Sequence, residues 1–217
     1  MTALPPHRVP GDRLTSATLR LAARHEHRFS LDTVHHLLLD SHRRLAAGAT
    51  IPDHLPLLAE RLTGERLDAL ARTEGPVRSA VPHVLFVCGR NTGRSQLAAA
   101  LLRHHSGERV LASSAGTDPG AAVSAEVARS LAEVGVEVRH AYPKPLTDEV
   151  IGAADVVVTM GCGDACPILP GRRYLNWPLP DPDGAPPRVV RAIRNVVDAR
   201  VRELLAVLVP TTPAGTG

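Results

Sequence analysis

Three cysteines are the side chains here best suited to covalent chemistry, and they stand in two places. Cys88 lies in FVCGRNTGRSQ (86–96); Cys162 and Cys166 lie in CGDAC. A core strand has no need to end in a cysteine followed by glycines, two arginines and small polar residues. The spacing is Cys88-x5-Arg94-Ser95. Gly89 and Gly93 let the backbone wrap, so that amides from Gly89 through Arg90, Asn91, Thr92, Gly93 and Arg94 to Ser95 point inward. That makes an anion nest, completed by a helix N-terminus. The helix dipole and the Arg94 guanidinium both favour a thiolate at Cys88. Arg94 can also hold a tetrahedral oxyanion through two hydrogen bonds. Ser95 can donate to the sulfur, and Asn91 can pin the loop through its amide. The Arg90 side chain reads as solvated. The stretch therefore supports a thiolate set against a tetrahedral oxyanion.

A strand must deliver Cys88 and a helix must follow it. HVLFV (83–87) reads as the strand, and Ser95 to about His105 as the helix, with Leu97 and Leu101 on one face. Further on, 109–116 reads as a strand and turn and 123–134 as a helix ending near Gly135. Residues 147–154 read as a short helix, DVVVTM (155–160) as a continuous buried strand, and 172–177 as a short strand. Residues 187–208 form a last helix striped by Val190, Ile193, Val197, Leu204 and Leu208. This alternation predicts an α/β fold, a parallel sheet with helices on both faces. Ligands on such sheets bind beyond the carboxyl ends of the strands. Cys88 ends one strand and Cys162 lies just past another, so strand topology can bring both to one edge.

The region before this is different. Leu14, Ala17 and Leu21 keep helical spacing. A second helix starts after the N-cap Ser30, with Asp32 in its first turn. Leu31, Val34, Leu38 and Leu45 share its face, and Gly48 ends it. A third begins near Pro52, with Leu55, Leu58 and Leu62 in register; Gly64 invites a kink or break, and Gly75-Pro76 stops it. The predicted organisation is a small all-α three-helix domain over 1–78, a linker near 76–82, and the α/β domain over 82–210. A three-helix core this small favours docking or dimerisation.

Composition excludes other classes. The chain has 217 residues, 44% apolar and 22% charged, with formal net charge +3. No apolar run approaches the ~18 residues of a membrane span. The N-terminus lacks an apolar signal region, and three cysteines are an odd, small number, which together point to the cytoplasm. Residues 12–75 carry nine arginines and nine acids. Nucleic-acid binding needs an excess of positive charge, so none is expected. His35 and His36 read as ordinary exposed residues.

VLFVCGRNTGRSQ resembles the phosphate-binding loop of the low-molecular-weight protein tyrosine phosphatases and of the arsenate reductases related to them. SSAGT (113–117) is similar to that superfamily's second-strand motif. Gln96, where the phosphatases usually have proline, leans toward the reductases, as do KPLTDEVIGAADVVVTMGCGDACP and the W-x3-DP of Trp177–Pro182. The N-terminal helices resemble the bundle of actinobacterial members. The resemblance implies a low-molecular-weight phosphatase-like fold over 83 to about 208 and reduction of arsenate to arsenite. It implies Asp181 as the acid for the leaving oxygen; by residue type alone, Asp183 reads as a solvated turn residue and Trp177 as packing. Some relatives hold potassium through a glutamate early in the helix after the loop. The matching position here is Ala99, and no metal site is carried over.

With Cys88 as nucleophile and arsenate as substrate, a second thiolate attacking Cys88 releases arsenite and leaves a disulfide. Cys162 is the expected attacker. Cys166 would then move the disulfide to Cys162–Cys166, within reach of an external reductant. No bound cofactor is expected. The reductant is either thioredoxin, which fits a three-thiol relay, or a small thiol such as mycothiol with mycoredoxin. A homodimer through the N-terminal helices is expected. Two other readings stand beside this one: a phosphotyrosine phosphatase, disfavoured because PLPDPDGAPP has no aromatic residue, and a non-catalytic oxyanion-sensing dimer. Zinc binding by C-x3-C with no second pair is a weak signal.

Overall fold

A computed structural model describes residues 10–25, 28–47, 54–74, 80–138, 140–162 and 166–210. The chain divides into two compact units, Met1–Gly75 and Pro76–Gly217. In the first, α1 (Pro10–Arg24), α2 (Leu31–Ala46) and α3 (Leu55–Glu74) all pack on one another. Ser30 caps α2 by accepting from the Thr33 amide at 3.1 Å. Ala17, Leu21, Val34, Leu38, Leu45, Leu55 and Leu62 are buried, as their spacing predicts.

Three expectations for this unit need correction. Leu31 is 51% exposed: it is the first residue of α2 and lies off the packed stripe. Gly64 does not break α3, which runs unbroken through it. A Cβ there would lie 3.5 Å from Leu21 Cδ2 and 3.4 Å from an Arg24 nitrogen, so α1 crosses α3 closely at this point. His35 is half-buried, and its Nδ1 lies 3.2 Å from Thr18 Oγ1, tying α2 to α1. Gly48, Pro52 and Gly75-Pro76, read as helix boundaries, lie outside the described residues, as does most of the expected linker.

The second unit is built on four parallel strands in the order β2-β1-β3-β4: β1 (His83–Cys88), β2 (Leu111–Gly116), β3 (Val156–Thr159) and β4 (Arg173–Asn176). The helices are α4 (Arg94–Ser106), α5 (Ala125–Ala132), α6 (Asp148–Ala153) and α7 (Pro187–Leu208). All six residues of β1 are buried, because the central strand of a sheet covered on both sides meets no water. From Ser95 to Leu102, α4 is buried all round. Its alanines let it sit in the core cluster with Phe86, Val156, Val158, Val190, Ile193 and Val197. Trp177 packs in the same core, its ring 5.7 Å from Phe86. Gly135, at φ 74°, turns the chain just after α5.

The topology decides where chemistry can occur. From β1 the chain moves to β2 on one side; β3 and β4 lie on the other. The connections diverge between β1 and β3, and that crevice at the carboxyl ends is where an open α/β sheet takes its ligand. Cys88 closes β1, and Met160-Gly161-Cys162 follows β3 directly. The two are stitched together there by the Met160 amide donating to the Val87 carbonyl at 2.7 Å.

Candidate active site

Cys88 sits in a loop whose peptides are held in one direction. The carbonyls of Cys88, Gly89, Arg90 and Thr92 accept from the amides of Thr117, Asp118, Gly120 and Ser124, at 3.2, 2.9, 2.8 and 3.0 Å. In a trans peptide the N–H points opposite the C=O. With their carbonyls turned toward 117–124, these peptides aim the amides of Gly89, Arg90, Asn91 and Gly93 the other way. The Asn91 amide reaches Cys88 Sγ at 3.2 Å. The nest is visible in the sequence; the segment that enforces it is not.

Close approach explains the glycine just before that segment. A Cβ on Gly116 would lie 2.7 Å from the Gly89 carbonyl oxygen and 2.9 Å from Asn91 Cβ. Asn91 itself has φ 52°, the left-handed region that asparagine tolerates better than most residues. Its side chain is fully engaged. Nδ2 donates to Ser95 Oγ at 2.8 Å, and Oδ1 accepts from the Lys144 amide at 3.0 Å and from Gln96 Nε2 at 3.1 Å. Ser95 Oγ lies 3.0 Å from Cys88 Sγ. Because it accepts from Asn91, its own proton is free to be aimed at the sulfur.

Gln96 is buried and braces the loop. Its Nε2 donates to the Asn91 backbone and side-chain oxygens and to the Tyr142 carbonyl, each at 3.1 Å. In the sequence Gln96 marks only the family resemblance, because the carbonyls it braces carry no residue-type signal.

Arg94, the first residue of α4, reaches across to the loop after β4. Its Nη2 donates to Asp181 Oδ2 at 2.7 Å and its Nη1 to the Leu179 carbonyl at 3.4 Å. Its Nε is buried and has no partner among the described residues, a donor suited to an oxyanion. Arg90 is exposed but not merely solvated, since its Nη1 lies 3.4 Å from Asp183 Oδ2. Asp183 is an exposed turn residue, as expected, with Arg90 beside it. Pro182, between the two acids, packs where a Cβ on Gly93 would stand, 2.7 Å from its Cγ. The Asp181–Asp183 loop thus covers the nest, and no aromatic ring stands in it.

The remaining thiols come to the same crevice. Gly161, at φ +82°, passes so close to the Arg94 guanidinium that a side chain there would strike Nη1. Cys162 follows at once. Its thiol is drawn down to about 7, first by a hydrogen bond from the Cys166 side chain. Burial opposes this, and backbone hydrogen bonds and the Arg94 charge add to it. The same hydrogen bond pushes Cys166 up. Cys162 is half-buried, Cys166 buried, and all three cysteines are free thiols. The Gly163-Asp164-Ala165 spacer between them lies outside the described residues.

Comparison with known proteins gives a consistent result. Residues 83–211 match the family model described as low molecular weight phosphotyrosine protein phosphatase. Residues 14–71 match that described as protein-tyrosine-phosphatase-like, N-terminal domain. The structure of the thioredoxin-dependent arsenate reductase Cg_ArsC1' of Corynebacterium glutamicum is similar at 43% identity and a TM-score of 0.84, over 92% of this chain and 98% of that one. A protein of Halobacterium salinarum named putative arsenate reductase is 32% identical over 55% of this chain and 87% of its own length. The glutaredoxin arsenate reductase of Synechocystis is 30% identical over 57% of this chain and 95% of its own.

Proposed function

The chain belongs to the low molecular weight phosphotyrosine protein phosphatase family, and on that footing we propose that it is an arsenate reductase with a three-thiol relay. The observation that carries the reading is the second thiol pair. Cys162 leaves the strand beside β1, one residue past the glycine that contacts Arg94, and is held toward its thiolate by Cys166. A hydrolase acting through Cys88 alone has no use for that arrangement.

Arsenate binds in the nest through the amides of Gly89 to Ser95 and the guanidinium of Arg94. The Cys88 thiolate attacks arsenic, and Asp181 gives a proton to the departing oxygen, which leaves as water. Cys162 then attacks Cys88 Sγ. The sulfur–arsenic bond breaks with its electron pair going to arsenic, which leaves as arsenite, and a Cys88–Cys162 disulfide remains. Cys166 attacks Cys162 and frees Cys88. The resulting Cys162–Cys166 disulfide is returned to two thiols by an external thiol reductant. The similarity to a thioredoxin-dependent enzyme favours thioredoxin over mycothiol in this role. The N-terminal unit, with Leu19, Leu31 and Leu57 exposed, would pair two chains, and light scattering of the purified protein tests that. No helix of the described residues is long and apolar enough to cross a membrane.

One experiment tests the catalytic reading. Reduced protein is given arsenate for a single turnover and its disulfides are mapped by mass spectrometry. A Cys162–Cys166 disulfide, absent in Cys88→Ser, is expected. Unchanged thiols together with fast hydrolysis of a phenyl phosphate would overturn it.

A further inference from the structure

Beyond the relay, the chain leaves Cys166 through Pro167, Ile168, Leu169 and Pro170. Ile168 is 80% exposed, the most of any large apolar side chain among the described residues. A single exposed apolar side chain is ordinary on a protein surface. This one, however, is held out. The Tyr174 hydroxyl accepts from the Leu169 amide at 2.8 Å and donates to the Pro167 carbonyl at 3.1 Å. Those two bonds grip the residues on either side of Ile168 and leave it at the apex. Pro167 and Pro170 restrict the same backbone further, so the segment loses little freedom when something covers it. Its place is also specific. Two residues of chain reach at most about 7 Å, so Ile168 stands beside Cys166, one half of the disulfide that the proposed relay leaves to be reduced. Tyr174 belongs to β4, the edge of the sheet.

We propose that Ile168 is the apolar anchor on which a protein dithiol reductase docks to reduce the Cys162–Cys166 disulfide. The proposal rests on the relay reading above and names its partner surface. One reductase thiolate attacks a sulfur of the disulfide, forming a mixed disulfide and releasing the other cysteine as a thiolate. The second reductase thiol then attacks the mixed disulfide, becomes disulfide-bonded itself, and releases the remaining cysteine. Two electrons pass from reductase to relay. A small thiol reaches such a disulfide by diffusion and needs no anchor. A folded reductase must align its sulfur with the target, and contact area beside the target supplies that alignment.

The test uses the full chain and a thioredoxin kept reduced by its reductase and NADPH. Ile168→Ser should raise the KM for thioredoxin by about tenfold. Ile168→Leu should restore it. Arsenate turnover driven by dithiothreitol, and the single-turnover yield of the Cys162–Cys166 disulfide, should not change in either variant. An unchanged thioredoxin KM in Ile168→Ser, or failure of thioredoxin to reduce the oxidised wild-type protein, overturns the docking surface alone. Absence of the Cys162–Cys166 disulfide in the wild-type protein removes the relay and the docking surface together, and is seen before any thioredoxin is added.

Discussion

Arg94 Nη2 gives its hydrogen to Asp181 Oδ2 at 2.7 Å, so the cation proposed to hold the oxyanion already holds the proposed acid. An arriving tetrahedral anion competes with that carboxylate for the same guanidinium. Taking Arg94 also releases Asp181 toward the oxygen that must leave. Asp181→Asn should therefore lower kcat by roughly 10²–10⁴, while inorganic phosphate binds at least as tightly as to the wild-type protein. Steady-state kinetics and calorimetric titration with phosphate measure the two effects. A weakened phosphate affinity would contradict the competition.

The guanidinium is used as a fork. Its two Nη atoms face the 179–181 segment while Nε has no partner among the described residues. Arg94→Lys keeps the charge and loses the fork. Losing one hydrogen bond to a charged group is worth about 10–100-fold, so the KM for arsenate should rise by that factor. Recovery of wild-type KM in the lysine variant would show that charge alone suffices.

The second step should carry the pH dependence. Cys162 titrates near 7 chiefly because Cys166 hydrogen-bonds to it. The attack on Cys88 needs the thiolate, so its rate should fall as pH drops through 7 and level off above it. In Cys166→Ala the inflection should move up toward the ordinary thiol value of about 8.5, and the Cys88–Cys162 disulfide should accumulate. Rapid-quench mapping of that disulfide between acid and alkaline pH follows both changes. An inflection that stays near 7 would remove Cys166 as the cause.

Gly116 bears on the anion loop through the backbone it packs against. A Cβ there meets backbone, the Gly89 oxygen at 2.7 Å and the Asn91 amide at 3.0 Å, and backbone cannot step aside as a side chain end can. Overpacking of this kind costs about 1–3 kcal/mol. Gly116→Ala should weaken phosphate binding by about tenfold or more and slow alkylation of Cys88. Gly152→Ala, with nothing within 4 Å, serves as the control and should do neither.

Gly64 predicts the opposite sign. The neighbours of a Cβ there stand at 3.4 and 3.5 Å, which is ordinary contact, and α3 is helical through the position. Gly64→Ala should stabilise the N-terminal unit by about 0.5–1 kcal/mol. Thermal melting of the full chain followed by circular dichroism should show a higher midpoint; a lower one would mean that α1 cannot yield.

What could be read from the sequence was local. Cys88, Arg94 and the glycines between them lie within one loop, and its flanking strand and helix show in the pattern of apolar residues. The stripe on α7 is long enough to locate the helix at 187–208. The brace from Gln96 was not legible, because its partner Tyr142 is remote in sequence and offers a backbone oxygen, which no residue type advertises. The carbonyl-gripping segment 117–124 is hidden for the same reason. The pairing of Arg90 with Asp183 depends on where the chain returns after β4. Leu31 misled because helical spacing places a residue on a stripe without saying whether the neighbouring helix extends that far.

The order of the strands has a consequence for how this scaffold diversifies. The anion nest belongs to the end of β1, and the thiols of the proposed relay follow the end of its neighbour β3. Each is a separate insertion point on the same rim. Loss of the cysteines after β3 would leave a loop still competent to trap a tetrahedral ester, with water in place of the second thiol. The division between hydrolysis and electron transfer in such a protein then rests on one connection, whose Gly161 must stay a glycine to clear the Arg94 guanidinium.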